Sequence, residues 1–272
     1  MNKNIFSIAA LIAIIMLNGC SSKNNKGIEM INKTSTSSKM LYQVGTINSL
    51  LAGVYEGDVF IEDLNNYGDF GLGTFDAVNG EMIALDGDYY RIDAEGNSHL
   101  VTSKMKTPFA VVTNFIEEIK YDTGSFDDVE SLHKYISTKF ESKNIIYAIS
   151  IDGYFSELDL RSERPQPEGH KPLSETISKV QNKYTLNNTK GTIVGFWFPE
   201  YMKTINVPGF HFHFINNSRT KGGHLFNMKI DSGSLKIMPI FDFGMHLIHT
   251  PLFEHANMES DFKSATKKVE HK

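Results

Sequence analysis

The chain has 272 residues, 40% hydrophobic and 22% charged, enough to bury a substantial core as one large domain or two small ones. Its formal net charge of −5 leaves no basic excess to neutralise phosphates, which argues against a nucleic-acid partner. The single cysteine, Cys20, excludes an internal disulfide and any thiol nucleophile or cysteine-ligated metal in a folded domain after it.

In chain order, the first pattern is one of targeting. Lys3 precedes an apolar run from Ile5 to Leu17, too short to cross a bilayer core of roughly 20 residues as a mature helix. The run closes on Leu17-Asn18-Gly19-Cys20, which resembles a bacterial lipoprotein signal. That resemblance implies a signal peptide over 1–19 and lipidation of Cys20. It also implies an exported, membrane-anchored location, on the outer side of the cytoplasmic membrane or in the periplasm. Residues 20–39 are rich in Ser, Asn, Lys and Thr and read as a polar tether. The folded part is expected as two lobes, a mixed-sheet lobe over 40–150 and a second lobe over 151–272.

Within it, Thr46 to Val54 and Phe60 to Asn66 read as short helices. Asn79-Gly80 and Asp86-Gly87 are dipeptides that tight hairpins favour, because both tolerate positive φ. Phe109 to Phe115 reads as a buried strand. Ser125 is expected to open a helix, with Asp128 three residues on as a capping box and Val129, Leu132, Ile136 and Phe140 as the apolar stripe. Ile145 to Ile151 reads as a strand, and Leu173, Ile177, Val180 and Tyr184 as a second amphipathic helix. Then come strands over Thr192 to Phe198, Gly209 to Ile215, His224 to Ile230 and Leu235 to Phe241. Met258 to Lys272 reads as a charged tail. The pattern predicts an α/β fold with large mixed sheets.

The chemistry concentrates in Gly209 to His224. Residues two apart on a strand share a face, so His211 and His213 point one way and the phenylalanines between them the other. Asn216 to Gly223 is turn-like. A hairpin centred between Ser218 and Arg219 sets His224 opposite His213, and three imidazoles then converge. Three histidines with an open coordination position describe a catalytic zinc site rather than a closed structural one. Imidazole also suits iron and manganese. His246, His249 and His255 read as core or surface residues, or as outer support to the site.

These segments together resemble the bacterial α-acetolactate decarboxylases. The matching blocks are Tyr42 to Thr46, Tyr67 to Phe75, Asn79-Gly80-Glu81, Leu85-Asp86-Gly87, Lys106 to Ala110, Gly191 to Phe196, Ile205 to Phe214 and Gly222-Gly223-His224. The resemblance implies a two-lobed α/β protein and a homodimer. It implies Zn2+ on His211, His213 and His224, and a 2-hydroxy-3-oxo acid as substrate with acetoin as product. It carries a glutamate onto Glu81, an arginine onto Arg161, a C-terminal glutamate onto Glu270 and a pocket-lining threonine onto Thr74. The stretch Leu160 to Gln166 is more acidic than the family pattern, and Arg164 rivals Arg161.

Such a substrate carries its own electron sink, a ketone next to the carbon that loses carbon dioxide. No pyridoxal or thiamine is needed. What is needed is a Lewis acid for the developing oxyanion, a cation to orient the carboxylate and an acid to protonate one face. Glu81 or Glu270 suits the last role if an apolar pocket raises its pKa. A cupin-type enzyme shares the His-x-His strand but expects a glutamate where Ile215 to Ser218 stand. The remaining alternative is a surface lipoprotein that binds metal or solute without turnover.

Overall fold

The computed structural model describes residues 39–101, 104–166, 171–258 and 262–270. The signal-peptide reading, lipidated Cys20 and the tether up to residue 38 lie outside the described residues. The strands are β1 (Met40–Val44), β2 (Val59–Phe60), β3 (Phe70–Thr74), β4 (Glu81–Leu85), β5 (Asp88–Ile92), β6 (Ser98–Leu100), β7 (Lys106–Thr107), β8 (Ala110–Thr113), β9 (Ile119–Asp122), β10 (Ile146–Glu163), β11 (Gln181–Phe198), β12 (Gly209–Asn216), β13 (Gly222–Ile240) and β14 (Asp242–His246). The helices are α1 (Ile47–Leu51), α2 (Ile61–Leu64), α3 (Val129–Ser137), α4 (Leu173–Val180), α5 (Pro251–His255) and α6 (Lys263–Glu270).

One large sheet has seven strands in the order β14-β1-β8-β3-β4-β5-β6, the other has five in the order β10-β11-β12-β13-β9, and β2 and β7 form a separate two-stranded ribbon. An additional β10–β13 pairing closes β10 through β13 into a ring. Alternation along each strand builds the layers. Leu72, Ile83 and Val111 of the larger sheet meet Ala148, Val194, Phe196 and Ile215 of the smaller one in a shared core. The intervening Ile149, Phe212 and Phe214 face away and pack with Leu132 and Ile136 of α3. A third cluster gathers α1, α4 and α6 through Leu50, Leu173, Ile177 and Val269. Both sheets belong to one compact unit of the chain. A division at residue 150 falls inside the unbroken β10.

Several local expectations are corrected. The cap of α3 is Asp128, whose side chain accepts from Ser131 N at 2.7 Å; Ser125 lies outside the helix. Tyr184 is not helical: α4 stops at Val180, and Tyr184 pairs with Leu160 across β10 and β11. Cross-strand pairing outweighs the helical spacing there, and Tyr184 Oη donates to Gly222 O at 2.5 Å. Asn79-Gly80 ends a longer connection that contains a 3-10 turn at Asp76–Val78, rather than forming a two-residue hairpin. The charged tail contains a helix, α6, whose Thr266, Val269 and Glu270 are buried.

Asp86-Gly87 does form the two-residue hairpin between β4 and β5, with φ of 57° and 85°. A Cβ on Gly87 meets nothing within 4 Å, so only backbone strain opposes a side chain there. Gly87→Ala should cost about 1 kcal/mol of stability by urea titration. An unchanged midpoint would refute the strained-turn account.

Candidate functional site

Residues directly opposite across a ladder share a face. His213 of β12 stands opposite His224 of β13, the register expected from the turn. His224 stands opposite Arg161 of β10 in its second ladder. Arg161, His224 and His213 therefore form one row on one face, with His211 two residues along from His213. From the facing sheet, Glu81 begins β4 opposite Thr74, on the same side as the core residue Ile83.

The three imidazoles converge. Their ligand nitrogens all lie within 4.8 Å of one another, and ring centroids are 5.1 to 5.3 Å apart. Two tautomers follow from the partners, because a carbonyl only accepts. His213 Nδ1 donates to Met82 O at 2.8 Å, which leaves the lone pair on Nε2. His224 Nε2 donates to Glu270 O at 3.2 Å, which leaves the lone pair on Nδ1. Both lone-pair nitrogens are buried without a hydrogen-bond partner among the described residues. Burial, then neighbouring His211, holds His213 well below the usual 6.5; burial, then Arg161, does the same for His224. Neutral, oriented imidazoles with bare lone pairs fit a metal ion.

The carboxylates fit one as well. Arg161 Nε lies 3.0 Å from Glu163 Oε1 and 3.5 Å from Glu81 Oε1, and Nη2 lies 3.9 Å from Glu270 Oε2. Arg161 Nη1 also donates to Val269 O. Three carboxyl groups thus surround one guanidinium beside the histidines, and a cation held there would lower their mutual repulsion. Glu81 Oε2 is 3.3 Å from His213 Nε2, and Glu270 Oε2 is 3.5 Å from His211 Nε2. Burial, then the Glu163 carboxylate, pushes Glu81 well above the ordinary carboxyl value of 4.5, and Arg161 only partly offsets this. Burial opposes the charge on Arg161, but the three glutamates together hold its pKa above the usual value.

The sequence candidates separate cleanly in space. Arg161 is 3% exposed inside the site; Arg164 pairs with Glu95 at 2.5 Å on the surface. Glu270 closes the cluster from the end of α6. Thr74 lines the site, but its hydroxyl donates to Gly80 O at 2.8 Å and so fixes the connection that delivers Glu81. His246 bonds Asp58 at 2.9 Å, away from the cluster. Sequence reasoning missed Glu163, although its i+2 spacing from Arg161 on a strand was the available signal. It also missed Ser162, whose Oγ accepts from Glu81 N at 3.2 Å and donates to Ile92 O at 2.7 Å.

A cavity of about 30 Å3 sits on the α1–α4 side of the histidines, walled by Leu50, Val78, Phe109, Leu173, Ile177 and Val269. A larger one of about 510 Å3 reaches His211, His224 and Glu270 from the α3 side, past Phe210 and Phe226.

The family model for alpha-acetolactate decarboxylase matches residues 41–260. The chain is 39% identical over 219 residues to the alpha-acetolactate decarboxylase of Brevibacillus brevis, covering 80% of this chain and 76% of that one. It is 36% identical over 254 residues to the enzyme of the same name from Methanosarcina mazei, covering 92% and 88%. A crystal structure of alpha-acetolactate decarboxylase from Bacillus subtilis strain 168 superposes with a TM-score of 0.83 at 33% identity, over 86% of this chain and 100% of that one.

The elevated pKa of Glu81 has a stability consequence. In the metal-free chain, the unfolded glutamate ionises near 4.5 while the folded one resists. The resulting penalty is absent below 4.5, grows as pH rises and is full above the folded pKa. Glu81→Gln should therefore raise the melting temperature in chelator at pH 8, with the gain shrinking toward pH 5. A gain independent of pH would show that Glu81 is not a strained buried acid.

Proposed function

The chain belongs to the alpha-acetolactate decarboxylase family and is a carbon–carbon lyase; from that we propose that it converts α-acetolactate to acetoin and carbon dioxide. The observation that carries the reading is the convergence of three histidines, one arginine and a glutamate of raised pKa in one buried site. We assign His211, His213 and His224 as holders of a zinc ion. When bound, it would act as a Lewis acid toward the substrate's ketone and hydroxyl oxygens.

The protein groups supply the rest. Glu81, Arg161 and the three histidines jointly line a space of about 30 Å3, room for little more than one water, and the larger cavity on the α3 side reaches His211, His224 and Glu270, so substrate approaches from that side. Arg161 pairs with the carboxylate and sets the bond to be broken at a fixed angle. Loss of carbon dioxide leaves an electron pair that the neighbouring ketone accepts as an enediolate. Glu81, held protonated by burial, delivers its proton to one face of that carbon, which makes the product chiral. Glu270 stands across the cluster as the second acid.

The purified chain should release carbon dioxide from racemic α-acetolactate and stop when a chelator is added. His213→Ala should lose zinc and turnover together. Glu81→Gln should keep zinc and lose at least about a hundredfold in kcat. For the wild type, kcat should fall as pH rises through the elevated pKa of Glu81, on a limb above the ordinary carboxyl range. A chain that binds zinc yet releases no carbon dioxide would leave a metal-binding lipoprotein instead.

We also propose that Cys20 anchors an exported homodimer, on the lipoprotein-like leader and the family resemblance. Fatty-acid labelling should tag the wild type and not Cys20→Ser, and the soluble part should sediment at twice its chain mass.

A further inference from the structure

Glu163 is a buried carboxylate in the site that the family resemblance leaves without a role. It lies in the stretch that departs from the family pattern. Two residues beyond Arg161 on β10, it falls on the same face of the strand. It is 2% exposed. Its Oε1 is 3.0 Å from Arg161 Nε, nearer than Glu81 or Glu270 comes to the guanidinium, as a close ion pair rather than an aligned hydrogen bond. Its carboxylate also lies close enough to Glu81 to help raise that residue's pKa. The rest of the guanidinium is held by Val269 O at Nη1 and lies 5.2 Å over the ring of Phe226.

Decarboxylation moves negative charge out of the carboxylate, since carbon dioxide departs neutral. A bare guanidinium beside that carboxylate stabilises the bound substrate more than the transition state and so slows the step. In a water-excluded pocket this interaction is large. A carboxylate fixed against Nε cancels part of the charge and leaves the N–H directions intact.

We propose that Glu163 is a positioning residue that fixes Arg161 and offsets its charge, so that the guanidinium aligns the scissile carboxylate without over-stabilising it. This rests on the decarboxylase reading and on Arg161 as the carboxylate's partner. It separates from a merely structural role by the direction of KM. A loosened site binds substrate more weakly and raises KM; an unmasked guanidinium binds it more tightly and lowers KM.

The test is steady-state kinetics of the zinc-loaded full chain on racemic α-acetolactate, for the wild type, Glu163→Gln, Arg161→Lys and the double variant. Glu163→Gln should lower kcat roughly tenfold or more and lower KM as well. In the Arg161→Lys background, the same change should alter kcat by less than about threefold, because its effect passes through Arg161. An unchanged kcat, a raised KM, or the full loss repeated in the Arg161→Lys background would overturn the proposal. If Glu163→Gln does not fold, Glu163→Asp decides. It keeps the charge but draws it back from Nε, and should shift both constants the same way by less. A raised KM or unchanged kcat there overturns the proposal too. A zinc-loaded wild type without turnover overturns the decarboxylase reading and this proposal with it; an active wild type with any contrary result overturns the proposal alone.

Discussion

The site depends on His224 being paired in two ladders at once. Because β13 lies between β12 and β10 at that residue, one strand fixes both His213 and Arg161 relative to it. No loop has to be held in a particular shape to bring cation and imidazoles together. The distances among them are those of strand spacing, which backbone hydrogen bonding sets and which side-chain changes elsewhere barely move. The closed β10–β13 ring makes this possible, since an open sheet gives an edge strand only one neighbour.

The second sheet then supplies what the first lacks. Glu81 comes from β4, and its strand is tied across by Ser162, which takes a hydrogen bond from Glu81 N and gives one to Ile92 O. The acid and the cation are thus positioned by separate sheets that meet through a common apolar core. Low polarity around them has two effects. It makes the charged form of Glu81 costly and it strengthens every pairing with Arg161. The helices α1, α4 and α6 maintain that dryness, and α6 adds Glu270 and the Val269 carbonyl.

What was legible in the sequence was local and periodic. Alternation gave the face of His211 and His213, and the count of residues through the turn gave the partner of His224. The resemblance to known enzymes picked out Glu81, Arg161 and Glu270, and their side chains lie together beside the histidines. The long strands were not legible as such. Gly153 within β10, and Asp231 to Ser234 within β13, read as breaks, whereas the strands run through them in a curved ring. The pairing of β13 with β10 joins residues more than sixty positions apart and leaves no local trace. Tyr184 kept a helical spacing by coincidence. Among charged neighbours, the buried face of α6 is too short to stand out, since it consists only of Thr266, Val269 and Glu270. Glu163 looked like one more charge in an acidic stretch until the face of Arg161 was known.

The hydrogen bonds that orient two of the imidazoles end on main-chain carbonyls, those of Met82 and Glu270. Every residue type carries that acceptor. The tautomer of His213 therefore does not depend on which side chain stands at position 82, so long as β4 keeps its place; Met82 itself is held by the apolar core it packs in. A design that used a carboxylate for the same purpose would be lost by a single codon change. Here the imidazole's orientation is inherited with the strand itself, and selection has only to preserve the fold.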